Sequence, residues 1–270
     1  MSTVAKIPIL DDFLVKALKG QTAEYGHFVI KIYLRVLLLI FGKASPYLVK
    51  GLWYAARGKK EERIEAFLKG SRVWAEDVRN LTKTNLILFN DMKPPTKGHF
   101  IFLNHVNEID FPYDCYAIGR PYLANQVIKK TLFAYWWMLA MGSLVFDNSR
   151  AMSIAVSIKN LIIGLATTSY IVYPEGHNSY KEEIQHLKKG MVKIAFDQKI
   201  PIYVAVKSGV TTYQDYRKGN TVGYMEVGIF NPSDFNKYED LQNHLYDVMC
   251  EKKKELDLLT EKARLEYKPT

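Results

Sequence analysis

The chain has 270 residues, 48% of them hydrophobic and 13% aromatic, enough for one sizeable core. Its formal net charge of +9 suits an anionic partner. Nucleic acid is one such partner, though no zinc-ligand spacing, basic-leucine pattern or ribonucleoprotein-type aromatic motif supports it, and an anionic membrane leaflet fits the charge equally well.

Cys115 and Cys250 lie far apart, so a disulfide scaffold is excluded and a reducing compartment is expected. The first 25 residues are mixed and polar, with Asp11, Asp12, Lys16 and Lys19, and do not read as a secretory signal peptide. Phe28–Phe41 is the most apolar run, interrupted only by Lys31 and Arg35. It is shorter than the ~20 apolar residues that span a bilayer. Its two cations share one helix face, so a helix lying in the membrane interface, basic stripe toward headgroups, is predicted. A buried core helix with snorkelling cations is the alternative. After the Gly42–Pro46 break, a second short helix from Tyr47 to Arg57 carries Trp53 and Tyr54, side chains that favour membrane interfaces. Residues 27–58 are therefore read as a two-helix membrane-docking hairpin, within an N-terminal segment 1–58 that precedes a domain over 59–270.

An amphipathic helix is predicted over about 60–80, with Ile64, Phe67, Leu68, Trp74 and Val78 near helical spacing. Short apolar runs then alternate with helical stretches. The strand candidates are Asn85–Phe89, His99–Leu103, Ser143–Phe146, Tyr170–Tyr173, Pro201–Val206 and Gly223–Ile229. Helices are predicted at about 110–118, 129–141, 151–167 and 186–198. That alternation gives an α/β domain around a mixed or parallel sheet flanked by helices. A last helix, roughly 237–262, has Lys252, Lys253 and Lys254 on its solvated part. The aromatic stretch Leu132–Met141 reads equally as a core helix and as the lining of an apolar-ligand site or a membrane contact.

Ligands of α/β sheets collect at the carboxyl ends of strands. Two segments occupy such ends: Asn104-His105-Val106-Asn107-Glu108-Ile109-Asp110 after HFIFL, and Tyr173-Pro174-Glu175-Gly176 after SYIVY. On an ideal helix, His105 and Asp110 would point ~140° apart. They meet if His105 lies in the strand-to-helix turn and Asp110 in the first helical turn. Asp110 would then fix one ring N–H, leaving the other nitrogen to take a proton from a substrate hydroxyl. No His, Cys and carboxylate cluster has metal-ligand spacing, so no metal is expected.

The ordered set Asn-His-x4-Asp, Gly142 to Asp147, Pro-Glu-Gly, and Ile200-Pro201-Ile202 resembles the sequence blocks of the 1-acylglycerol-3-phosphate (PlsC-like) family of glycerolipid acyltransferases, over about residues 99 to 206. The resemblance implies an α/β acyltransferase domain behind a helical hairpin docked on the cytoplasmic face of a membrane. It implies His105 as general base and Asp110 as its orienting partner. Asn104, Glu175 and Gly176 fall among its substrate-binding positions, with Glu175 and Gly176 shaping the acceptor pocket. Lys129, Lys130, Arg150 and Lys188 would face acceptor or donor phosphates. The implied reaction moves an acyl group from acyl-CoA or acyl-carrier protein, used as co-substrate without a further cofactor, onto a lysolipid. The implied acceptor is 1-acylglycerol-3-phosphate, giving phosphatidic acid.

The chain departs from the family where Glu-Gly-Thr-Arg is usual: His177 and Asn178 stand there, and Asn is no substitute for a fork-shaped phosphate clamp. The second block also ends Asp147-Asn148-Ser149-Arg150 in place of Asp-Arg. Another lysophospholipid or lipid alcohol as acceptor, or lipid binding without catalysis, are the alternatives.

Overall fold

The computed structural model describes residues 15–16, 22–130, 132–147, 149–211 and 220–267. The reading of the first 25 residues falls mostly outside them. Helix α1 (Ala23–Phe41) starts where the Thr22 hydroxyl accepts the Tyr25 N–H at 3.3 Å, satisfying an otherwise orphaned donor of the first turn. The chain reverses through Gly42 into α2 (Ser45–Ala56), with Pro46 in its first turn, where a missing N–H costs nothing. Helix α3 (Lys60–Leu81) packs along α2. Their close approach requires a glycine at position 51, because a Cβ there would meet the Phe67 ring at 2.5 Å.

Helix α1 is split by environment. Tyr25, Phe28 and Ile32 are buried, whereas Leu34, Leu37 and Phe41 are exposed, Phe41 by 86%. Arg35 corrects the expected basic stripe. It faces α3 and grips Asp77 in a two-pronged pair, Nε to Oδ2 at 2.5 Å and Nη2 to Oδ1 at 2.8 Å. A carboxylate in register on the neighbouring helix matches the guanidinium fork better than water does, and only Lys31 of the two cations stays exposed. Among the described residues no helix is long and apolar enough to cross a membrane.

The central sheet has five strands in the order β1-β7-β6-β2-β5. They are β1 (Thr84–Phe89), β2 (Phe100–Phe102), β5 (Tyr170–Val172), β6 (Ile202–Ser208) and β7 (Asn220–Phe230). Strands β6, β2 and β5 run parallel, β7 is antiparallel to β6, and β1 is parallel to β7. Every residue of β2, β5 and β6 is buried, as expected of strands covered on both faces. Successive side chains alternate between those faces. Ile101, Leu103, Tyr203, Ala205 and Tyr224 join the core built with α1, α3 and α4 (Asp110–Ala117). Phe100, Phe102, Val204 and Val206 join the opposite core, with α6 (Ala151–Leu165), α7 (Lys189–Asp197) and α8 (Tyr238–Glu266).

The sequence reading lacks β3 (Leu123–Asn125), which pairs in parallel with β4 (Leu144–Phe146); Tyr122 bridges it to Ile171 of β5. The helix expected at 129–141 is a 3-10 turn over Gln126–Lys130 followed by α5 (Leu132–Ala140). In helix α5, Trp137 and Met138 are buried, as a core helix requires, while Trp136 and Leu139 are exposed. With Leu52, Ala55, Arg63 and Phe67 they line an apolar groove of about 220 Å³. Lys253 was expected on a solvated face but is buried, its ammonium paired with Asp257 and, at 3.1 Å, with Glu182.

Phe67 joins these elements: it is 1% exposed and meets Trp136 and Trp137 edge-on, at 5.8 and 5.1 Å between centroids. Phe67→Ala is expected to lower unfolding stability by about 3–5 kcal/mol, read as a reduced midpoint in urea denaturation.

Candidate active site

The segments singled out in the sequence follow β2 and β5, parallel neighbours whose carboxyl ends share one edge of the sheet. His105 lies in the turn after β2, and Asp110 opens α4. The His105 Nδ1–H donates to Asp110 Oδ2 at 2.7 Å. The same oxygen accepts the backbone N–H of Val106 at 2.6 Å and that of Asn107 at 3.3 Å. Asp110 is fully buried, whereas the imidazole is 18% exposed. An ionised carboxylate can only accept, so the bond places the His105 proton on Nδ1 and leaves Nε2 as the basic nitrogen.

A second carboxylate and a lysine complete this buried charge. Lys207, the next position after Tyr203 and Ala205 on that face of β6, has its ammonium 3.2 Å from Asp110 Oδ2. It donates to Asp114 Oδ2 and Oδ1 at 2.9 and 3.1 Å, and both Lys207 and Asp114 are fully buried. Asp114 also accepts from Tyr173, at 2.5 Å, and from Tyr224, at 2.7 Å. The Tyr173 ring lies flat against His105, with centroids 3.9 Å apart and planes at 10°. Burial pushes Asp110 up, but Lys207 and the bond from His105 outweigh it, and Asp110 rests below the usual carboxylate range. Asp114 goes the other way: its burial, with Asp110 nearby, exceeds what Lys207 restores. One ammonium thus holds the first carboxylate ionised more firmly than the second.

Other expected site residues brace the turn from within. Asn104, 2% exposed, exchanges two bonds with the Lys207 backbone, donating to its carbonyl at 3.1 Å and accepting its N–H at 2.8 Å. Glu175, 1% exposed, accepts the His105 N–H at 2.8 Å and the Gln185 N–H at 2.9 Å. Burial pushes its carboxyl up, against the lowering effect of those two N–H groups. Both side chains face protein backbone, and Glu175 holds the backbone of His105. Gly176 adopts φ +70°, a conformation glycine accepts without strain. A Cβ there would also strike Lys188 Cδ at 2.9 Å, so Gly176 and the exposed Lys188 are neighbours.

Asn178, in the position where the family pattern has Arg, donates to Glu108 Oε1 at 2.6 Å. Tyr180 donates to the same oxygen at 2.6 Å, and Tyr25 of α1 to Oε2 at 2.5 Å. Tyr33 of α1 donates to the Glu108 carbonyl at 2.8 Å. The Ser179 and Tyr180 N–H groups bond to the carbonyls of His105 and Val106 at 3.1 and 2.8 Å. The loop after Gly176 and helix α1 thus close on the His105 turn together.

Lys129 and Arg150 are exposed, on the 3-10 turn and at the start of α6; neither bonds to His105, Asp110 or Glu175. The Lys130 side chain lies outside the described residues. Asp114 and Lys207 escaped the sequence reading, and Glu108 and Tyr173, though within the two segments it singled out, were given no role. Two signals were present: Asp114 sits one helical turn after Asp110, and Lys207 ends the otherwise apolar strand IYVAVKS. Among the described residues no three His, Cys, Asp or Glu side chains are grouped to hold a metal ion.

Residues 85–207 match the Acyltransferase family model. No curated protein matches the sequence. Among solved structures, the chain is similar to the crystal structure of the 1-acyl-sn-glycerophosphate (LPA) acyltransferase PlsC from Thermotoga maritima. The TM-score is 0.68 at 17% identity, over 84% of this chain and 94% of that one. At that identity the likeness speaks for the fold, and the family match speaks for the chemistry. Residues 85–207, which hold His105, Asp110, Asp114, Glu175 and Lys207, are an acyltransferase domain.

Proposed function

We propose that this chain is an O-acyltransferase that moves a fatty acyl group from acyl-CoA or acyl-carrier protein to the hydroxyl of a lysolipid at the cytoplasmic face of a membrane. The observation that carries the reading is the 2.7 Å bond between His105 and Asp110, with the imidazole partly open to solvent. The acceptor hydroxyl gives its proton to His105 Nε2 as its oxygen attacks the thioester carbonyl. The resulting tetrahedral intermediate collapses, the C–S bond breaks, and the leaving thiolate takes the proton back from the imidazolium. Asp110 stabilises the imidazolium between those events. The serine nucleophile of a triad has no part, because the acceptor supplies the attacking oxygen.

The leading acceptor is 1-acylglycerol-3-phosphate, the substrate named for the PlsC structure, with Lys188, Lys129, Lys130 and Arg150 as cations for acceptor or donor phosphates. The contact of Asn178 with Glu108 favours a second acceptor class, because it leaves no guanidinium at that position. Another lysophospholipid or lipid alcohol then takes its place.

The purified chain and His105→Ala are to be given labelled acyl-CoA or acyl-carrier protein with lysophosphatidate, lysophosphatidylcholine or lysophosphatidylethanolamine. Product with at least one acceptor is expected, falling by roughly 10²–10⁴-fold in the variant. Product formed equally by His105→Ala would remove the base assignment. No product from any pair would leave lipid binding as the activity.

Membrane attachment rests on the outward faces of α1 and α2. Phe41, Val49, Leu52 and Trp53 are exposed, and the Arg57 guanidinium lies 3.9 Å from the Trp53 ring centroid. An apolar face edged by Lys50, Arg57 and Lys59 suits an anionic leaflet. The double change Phe41→Glu and Trp53→Glu is expected to weaken sedimentation with phosphatidylglycerol vesicles by at least about tenfold, with the thermal melt unchanged. Undiminished sedimentation would place the docking face elsewhere.

A further inference from the structure

We propose that Lys207, with Asp114, is a positioning residue for acyl transfer: its ammonium clamps the Asp110 carboxylate on one side, and on the other it holds Asp114, which fixes the Tyr173 ring beneath His105. The inference rests on His105 acting as general base. It concerns a fully buried ion pair that the proton-transfer steps do not themselves use.

The contacts converge on one oxygen of Asp110, Oδ2, while its buried Oδ1 has no hydrogen-bond partner among the described residues. The Lys207 ammonium donates to both oxygens of Asp114 and forms an ion pair with Asp110 Oδ2 at 3.2 Å. Each Asp114 oxygen accepts one bond from Lys207 and one from a tyrosine, Tyr224 on Oδ1 and Tyr173 on Oδ2. The ammonium also sits 4.9 Å from the Tyr173 ring centroid. Asn104 ties the Lys207 backbone to the residue next to His105. Buried ion pairs are often replaceable by apolar residues without loss of stability. A lysine kept inside an apolar strand is therefore better explained by what it does for its neighbours.

The ionisable groups facing Asp110 come from every element around it. They are Lys207 from β6, Asp114 and Tyr113 from α4, Glu175 and Tyr173 after β5, Tyr224 from β7 and Tyr33 from α1. The four tyrosines are pushed up by burial and are neutral at working pH. Cys115 and Tyr122, which face Asp114, are pushed up likewise, Cys115 to about 12. Beyond Glu175, which is bound to backbone, one ammonium therefore faces two carboxylates. His105 takes the acceptor proton beside more carboxylate than ammonium groups, which stabilises the imidazolium. Charge in a dry site is costly, so this arrangement favours the proton-accepting event.

The sign of each change follows. Asp114→Asn removes an anion near the imidazole and lowers its proton affinity, so the acid limb of the pH profile of kcat/KM moves to lower pH. Lys207→Met removes a cation and moves the limb to higher pH. Each shift is expected to be about one pH unit, with kcat reduced at least about fivefold and KM for either substrate changed less than about twofold. A purely structural role would lower activity without moving the limb in opposite directions. Asp114→Asn conserves volume, so it decides the matter if Lys207→Met fails to fold. A folded Asp114→Asn with the parental limb and kcat overturns the proposal. His105→Ala in the same assay separates the two readings: if it is inactive while the limbs of the other variants stay in place, only the Lys207 assignment fails. If it retains activity, the base itself is lost.

Discussion

A carboxylate wholly removed from water persists as an anion only where donors and a counter-charge surround it. Asp110 Oδ2 is such a point, receiving the His105 ring N–H, two backbone N–H groups and the Lys207 ammonium. Helix α4 must start at residue 110 so that its first side chain turns back into the preceding loop. Strand β6 must reach residue 207 before leaving the sheet, so that an inward position of its alternation falls beside that loop. The parallel pairing of β2 with β6 brings the two together. The register of the sheet and the start of a helix are thus joined at one oxygen atom.

Around that atom the bracing is redundant. Asn104 bonds the turn to β6, Glu175 bonds it to the loop after β5, and Ser179 and Tyr180 bond it to the segment beyond. Little of this binding uses exposed groups, which would be screened and mobile. One face of His105 is covered by a tyrosine ring that is itself held through Asp114. The imidazole therefore has a fixed tautomer and a fixed plane, and its side chain is 18% exposed.

The pairing of His105 with Asp110 was legible because its parts are local: a short apolar strand, a turn and a helix start lie within a dozen residues, and the spacing excludes a meeting along one helix. Its suggested role, like that of Pro174-Glu175-Gly176, came from the resemblance of the ordered set of segments to the acyltransferase blocks. Lys207 was not legible, since its partners are about a hundred residues away and a lysine at the end of a strand ordinarily reads as a solvated cation. Arg35 and Lys253 were misread on the same assumption: each has a carboxylate supplied by a neighbouring helix turn or element that periodicity cannot reveal. Strand β3 escaped because LAN is too short to show alternation, and only its pairing with β4 makes it a strand.

Tyr25 and Tyr33 reach from α1 to the side chain and the carbonyl of Glu108, within the turn that carries His105. The helix that presents Leu34, Leu37 and Phe41 outward is in this way also a wall of the loop that carries His105. Such a helix is not interchangeable: a foreign helix of equal hydrophobicity would leave the Glu108 carboxylate without its Tyr25 partner. The outward apolar face and the support of the His105 turn share one piece of chain, so substitutions on that face are tolerated only while the inward tyrosines stay in register.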